Sequence, residues 1–165
     1  QASFRNLGDN QPVDKVVGDA IIWGTFRGLI TFWILSFLVD VTGRWIGGKA
    51  KDDHLKGAIA WGMASSVVIL LLWGIKLYLF GSENFTSETP TLDTDPTLQQ
   101  LDLAIVAIDV LAALWGFVIL CNTIAEVQGF RSAWKGFMNV VLAILLFVIP
   151  LLVIGFAVAA IFQAM

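Results

Sequence analysis

GFMNVVLAILLFVIPLLVIGFAVAAIF, residues 136–162, is an apolar run without one charged side chain. A helix of roughly 20 such residues crosses a hydrocarbon core about 30 Å thick, and this run is long enough. Lipid offers no partner to backbone N–H and C=O groups, so the crossing segment has to be a helix that satisfies them internally. Working back along the chain, three more runs of the same kind stand at about 17–39, 57–80 and 101–125. Each also has the length to span. Pro150 sits inside the fourth run, where it removes one backbone hydrogen bond and is expected to kink the helix. Gly155 follows about a turn later and is placed to add to the bend.

The composition agrees. The 165 residues are 58% hydrophobic and 14% charged, with a mean hydropathy of +0.82. An ordinary soluble domain holds about 45–50% apolar and about 25% charged residues. Four apolar runs leave too little polar sequence to cover them in water. The expected fold is all-α, an integral membrane helical bundle with four spans in this chain. A polar segment, residues 1–16, precedes a single transmembrane domain over residues 17–163. Nothing from Gln1 to Asp19 resembles the apolar core of a signal peptide.

Several chemistries are not expected. The lone Cys121 forms no internal disulfide. The lone His54 rules out bis-histidine haem ligation, and no His/Cys metal cluster exists. Asp52, Asp53 and His54 are adjacent in sequence, which is a weak metal signature without further ligands. No Ser/His/Asp or Cys/His arrangement is available for nucleophilic catalysis. No basic face points to nucleic acid. Neither a cofactor nor a metal is expected, and the chain is not expected to be an enzyme.

The net charge of −3 conceals an asymmetry. Loop 40–56 carries Arg44, Lys49, Lys51 and Lys56, and loop 126–135 carries Arg131 and Lys135. Loop 81–100 has Glu83, Glu88, Asp93 and Asp95 but no Lys or Arg. Basic residues mark cytoplasmic loops. Loops 40–56 and 126–135 are therefore expected in the cytoplasm, and loop 81–100 and the C-terminus on the outer or luminal side. Trp45, Trp61 and Trp134 fall near the cytoplasmic boundary, and Trp23 and Trp73 lie toward the outer one, as in an interfacial aromatic belt. Trp33 and Trp115 lie deeper and are expected to pack against other helices.

The stretch GRWIGGKAKDDHLKGAIAWGMASSVVILLLWGIKLYLFG, residues 43–81, has a span end, a basic loop with the doublet Gly47-Gly48, and a second span rich in small and apolar residues. From Trp115 to Pro150 come a span, the short basic loop GFRSAWKGF and an apolar helix with a proline. This pattern resembles the Ypt-interacting-protein (Yip) domain family over roughly residues 17–163. The resemblance implies five spans, a cytosolic N-terminus and a C-terminus on the far side. The first family span is then expected upstream of Gln1. It also implies a link, in eukaryotes, to Rab-type GTPases and vesicle traffic, whereas bacterial members largely lack an assigned function. It supplies no catalytic residues.

Polar residues inside the spans are the remaining candidates. An ionisable residue at membrane depth is costly and usually has a partner. Arg27 and Asp109 lie roughly 15 Å and roughly 13 Å below the outer starts of their spans, at about 1.5 Å per residue. They are expected to form an intramembrane pair, read either as an ion or proton site or as a structural pair that fixes helix register. Gly24 and Gly28, and Ala112 and Gly116, make small-xxx-small steps beside them that allow close helix approach. Lys76 and Asp102, near the outer ends, are expected to snorkel to the headgroups. Asn122 and Glu126 form an inner polar cluster. They are placed to line a vestibule with Arg44 or Arg131, or to cap and bridge helices. The basic glycine loop, Arg44, Gly47, Gly48, Lys49, Lys51 and Lys56, is read as a lipid or partner site, or as a topogenic loop only. In the first reading, Gly47 and Gly48 let backbone amides approach a phosphate. The GxxxxGK[ST] spacing of a P-loop is missing. Asn84-Phe85-Thr86 matches a glycosylation sequon, at a frequency that chance also provides.

Three functions follow as expectations. The first is a non-enzymatic membrane organiser that binds membrane lipids and a partner membrane protein or a second copy of itself. The second is an accessory subunit of a larger membrane complex. The third is a small transporter or channel lined by Arg27, Asp109, Asn122 and Glu126.

Overall fold

A computed structural model describes residues 7–164. Six α-helices follow one another: α1 (Val13–Trp45), α2 (Asp52–Gly62), α3 (Ser66–Phe80), α4 (Pro90–Thr94), α5 (Pro96–Gln128) and α6 (Ala133–Ala164). Short 3-10 turns lie at Leu7–Asp9, Met63–Ser65 and Gly81–Phe85, and no strand occurs among the described residues. Four segments are long and apolar enough to cross a membrane: Val13–Trp45, Asp52–Phe85, Pro96–Gln128 and Ala133–Ala160. The protein is thus an all-α, multi-pass integral membrane protein.

The ends and breaks of these helices follow from residue type. Pro96 opens α5, where its fixed φ suits the first helical turn and its missing N–H costs nothing. Gly47 and Gly129 adopt φ of +88° and +71° just beyond α1 and α5, a backbone state nearly closed to other residues. The second segment is not one helix. Gly62 and the pair Ser65-Ser66 are weak helix formers, and the 3-10 turn at Met63–Ser65 separates α2 from α3. Helix α6 runs on through Pro150.

The chain divides into two units. The acidic-loop unit comprises Gln1–Ile30 and Ala64–Phe117, and the glycine-loop unit comprises Thr31–Met63 and Val118–Met165. In the glycine-loop unit, Val39, Leu55, Ile59, Cys121, Ile124, Val140 and Ala143 form one buried apolar cluster. The C-terminal part of α5 is its hub, approached closely through glycines. A Cβ on Gly62 of α2 would lie 2.8 Å from Leu120 Cα, and one on Gly136 of α6 would strike the carbonyl oxygen of Cys121. The Thr123 hydroxyl reaches Ala58 O of α2 at 3.1 Å. Membrane helices associate through such small-residue contacts and interhelical hydrogen bonds, since lipid gives no hydrophobic drive between them.

In the acidic-loop unit, the rings of Trp73 and Phe85 stack with centroids 6.4 Å apart. The Asn84 side-chain amide donates to Lys76 O at 2.9 Å and to Gly81 O at 3.2 Å, which closes the C-terminal end of α3. The nitrogen a glycan would need is therefore engaged, and Phe85 beside it is buried. Glu83 accepts from the backbone N–H of Thr91 at 3.0 Å and of Leu92 at 3.3 Å, capping α4. Asp9 accepts from Ser87 N at 3.0 Å.

Trp45, Trp61 and Trp134 are exposed. Trp33 and Trp115 are 59% and 66% exposed, which corrects the expectation that they pack against other helices. Among the described residues, the contact of Trp33 with α2 is confined to the Lys56 ammonium, 4.5 Å from its ring centroid, and most of the ring stays exposed.

Candidate functional site

The glycine loop begins where α1 stops. Gly48 N–H donates to Gly43 O at 2.8 Å and Gly47 N–H to Arg44 O at 3.2 Å. With Gly47 at positive φ, this is the Schellman arrangement that satisfies a helix's last carbonyls. Helix α5 stops the same way: Phe130 N–H donates to Ala125 O at 2.8 Å and Gly129 N–H to Glu126 O at 3.0 Å. The last residue of α5, Gln128, then joins the two endings. Its carbonyl accepts from Lys49 N–H at 3.1 Å, and its Oε1 accepts from Ala50 N–H at 3.1 Å. Its Nε2 reaches Val39 O at 3.5 Å. Gln128 is only 2% exposed.

Gly43 and Gly48 are the cradle for this side chain. A Cβ on either would fall on the Gln128 amide group. Beneath it, the Thr42 hydroxyl reaches Asn139 Oδ1 of α6 at 2.7 Å and Leu38 O at 2.8 Å. Both Thr42 and Asn139 are fully buried. Asn139 Nδ2 is buried without a hydrogen-bond partner. A buried polar network of this kind specifies its packing strongly, because each unmade bond is costly at low dielectric. The amides of Gly47, Gly48, Lys49 and Ala50 are all committed inside the protein. The approach of a phosphate to the Gly47 and Gly48 amides is thereby blocked, because those N–H groups close the α1 terminus. What the loop offers outward is side chains.

Those side chains divide into two groups. Arg44 is held by Asp40 one turn back, at 2.8 and 3.2 Å. Lys56 is held by Asp52 at 2.6 Å and by the Trp33 ring. Lys49 and Lys51 are exposed and make no ion pair among the described residues. Asn122 and Glu126 both lie on the exposed face of α5. Asn122 donates to Val118 O of its own helix at 2.8 Å, which satisfies it locally.

Arg27 on α1 and Asp109 on α5 belong to the acidic-loop unit. Arg27 is exposed and Asp109 is half-buried. Asp109 Oδ1 is buried without a hydrogen-bond partner. The same unit holds an ion pair that was not anticipated. Lys76 Nζ of α3 lies 2.7 Å from Asp102 Oδ1 of α5, with the Lys76 side chain only 14% exposed. Snorkelling explained each of these residues separately, so the sequence carried no reason to join them. Gln128, Thr42 and Asn139 were missed as well. The available signal was Gly129, a helix-stop glycine directly after Gln128.

A model of the Yip1 domain matches residues 6–155, nearly the whole chain. The chain belongs to the Yip1 domain family. No curated protein and no solved structure matches it. In this Yip1 domain the glycine doublet has separate physical tasks. Gly47 supplies the left-handed turn, and Gly48 makes room for Gln128.

Proposed function

We propose that this Yip1-family protein is a non-enzymatic membrane organiser. It acts through its glycine-loop unit, where it holds membrane lipids and a partner membrane protein or a second copy of the chain. Loops 40–56 and 126–135 face the cytoplasm in this reading, and loop 81–100 and the C-terminus face the other side. The observation that carries it is the Gln128 junction, which fixes the glycine loop against the end of α5 and so presents a formed surface rather than a loose tether. The experiment is purification in mild detergent with intact-mass analysis. A self-assembled species retaining lipid supports the organiser. A fixed stoichiometry with a different membrane protein makes the chain an accessory subunit, and a bare monomer without lipid sinks both.

A second reading, a small transporter, is favoured by the buried and unbonded Oδ1 of Asp109 within an apolar span. Asp109→Asn in reconstituted vesicles separates the two. A transporter loses flux while keeping its stability, and an organiser shows no flux in either form.

A further inference from the structure

Two basic loops far apart in sequence meet at Gln128. The bond from Lys49 N–H to Gln128 O sets Lys49 beside Gly129 and Phe130. Lys135, beyond the turn, lies with its ammonium 5.6 Å from the Phe130 ring centre. Lys49, Lys51, Arg131 and Lys135 are all exposed, and none is ion-paired among the described residues. The other two loop cations, Arg44 and Lys56, are already spent on Asp40 and Asp52. The unpaired carboxylates on the same segments are Asp53 and Glu126, so cations remain in excess. Trp134, 75% exposed, stands at the start of α6 and packs edge-on against Phe137. An exposed indole at the end of an apolar helix sits at headgroup level.

We propose that Lys49, Lys51, Arg131 and Lys135 form one site for the phosphate of an anionic phospholipid headgroup, with Gln128 as its positioning residue. The proposal rests on the lipid-binding reading above and narrows it to a class of lipid and a place. A lipid is favoured over a soluble anion because the cations lie at the ends of spanning helices beside an indole that anchors in the interface. The committed loop amides make this a site of ammonium and guanidinium groups. A guanidinium such as that of Arg131 presents a planar fork suited to phosphate oxygens.

The test titrates phosphatidylglycerol or phosphatidylcholine onto the full-length protein in detergent and follows bound lipid by native mass spectrometry. Lys49→Gln with Lys51→Gln, and Arg131→Gln with Lys135→Gln, are each expected to weaken phosphatidylglycerol binding about tenfold, leaving phosphatidylcholine unchanged. All four changes together are expected to weaken phosphatidylglycerol binding about a hundredfold, since both pairs hold the same bound lipid and their losses add in free energy. Gln128→Ala, which changes no charge, is expected to weaken binding about fivefold by releasing Lys49. Two phosphatidylglycerol molecules bound per chain, one lost with each pair, would overturn the single site. So would a folded Gln128→Ala protein that binds normally; if that variant does not fold, the number of lipids lost with each pair decides alone. Inorganic phosphate that displaces the lipid at millimolar concentration would reassign the site to a soluble anion. A parent protein that binds both lipids equally yet still self-assembles removes this proposal and leaves the organiser standing.

Discussion

The two units close their helix ends in different ways. In the glycine-loop unit, α1 and α5 stop on Gly47 and Gly129, and the freed carbonyls are satisfied by backbone N–H groups. One buried side chain, Gln128, ties the two stops together. In the acidic-loop unit the work falls to partly exposed side chains. Asn84 closes α3, Glu83 opens α4, and Asp9 reaches Ser87. A backbone closure depends on missing Cβ atoms, whereas a side-chain closure depends on particular donors and acceptors facing water. Substitutions that add bulk should therefore damage the first unit, and substitutions that remove polar atoms should do modest harm to the second. The units predict different sensitivities, in a definite order.

The largest effect is expected at Gly136. A side chain there meets the Cys121 carbonyl, and neither backbone moves without parting α5 from α6. Gly136→Leu is expected to cost about 3 kcal/mol or more, at the upper end of overpacking penalties. Thermal unfolding in detergent measures it. A stability equal to that of the parent protein would mean that this close approach does not hold in the membrane protein.

Gln128→Ala comes next. It removes the acceptor of Ala50 N–H and leaves a hole under Gly43 and Gly48. The expected loss is about 2 kcal/mol, from one unsatisfied donor and a small cavity. Gln128→Glu keeps the volume and the acceptor but buries a charge, and is expected to be worse than alanine. Should glutamate prove harmless, Gln128 would be solvated and the junction would lose its stabilising role.

In the acidic-loop unit, Lys76 and Asp102 offer the strongest test. Their pair joins α3 to α5, yet the Asp102 side chain is 32% exposed, so solvent screens part of the attraction. A double-mutant cycle with Lys76→Ala and Asp102→Ala is expected to give a coupling of about 1 kcal/mol, reduced by salt. A coupling near zero would return both residues to independent headgroup contacts.

The same division explains what could be read in advance. The four spans were legible because hydropathy integrates over many residues, and no single side chain decides it. The break at Met63–Ser65 was not, since apolar flanks on both sides concealed it. Gly47 and Gly48 announced a turn by residue type, but their partner did not announce itself. A glutamine between Glu126 and Arg131 reads as solvated, and only the fold shows it buried against residues 78 positions away. Trp33 and Trp115 were misjudged for the reverse reason. Depth in a span says how far a ring lies from the headgroups, and nothing about whether it faces lipid or a neighbouring helix. Lys76 and Asp102 escaped pairing because a charge near a span end needs no partner to be tolerated.

Asn84 gives the smallest expected effect and the most discriminating sign. Its amide donates to two carbonyls at the C-terminal end of α3, where the helix dipole is negative. Asn84→Ala removes the donor and leaves those carbonyls to water, at an expected cost of about 0.5 kcal/mol. Asn84→Asp preserves the shape but sets a carboxylate against the same oxygens, so it is expected to cost more than alanine. Were the side chain merely a turn former, aspartate would replace asparagine well, because both favour such conformations. Unfolding curves for the two variants thus separate a cap from a turn. The order alanine above aspartate supports closure by a side-chain donor. The opposite order would make the Gly81–Phe85 turn a matter of backbone preference, as it is at Gly47 and Gly129.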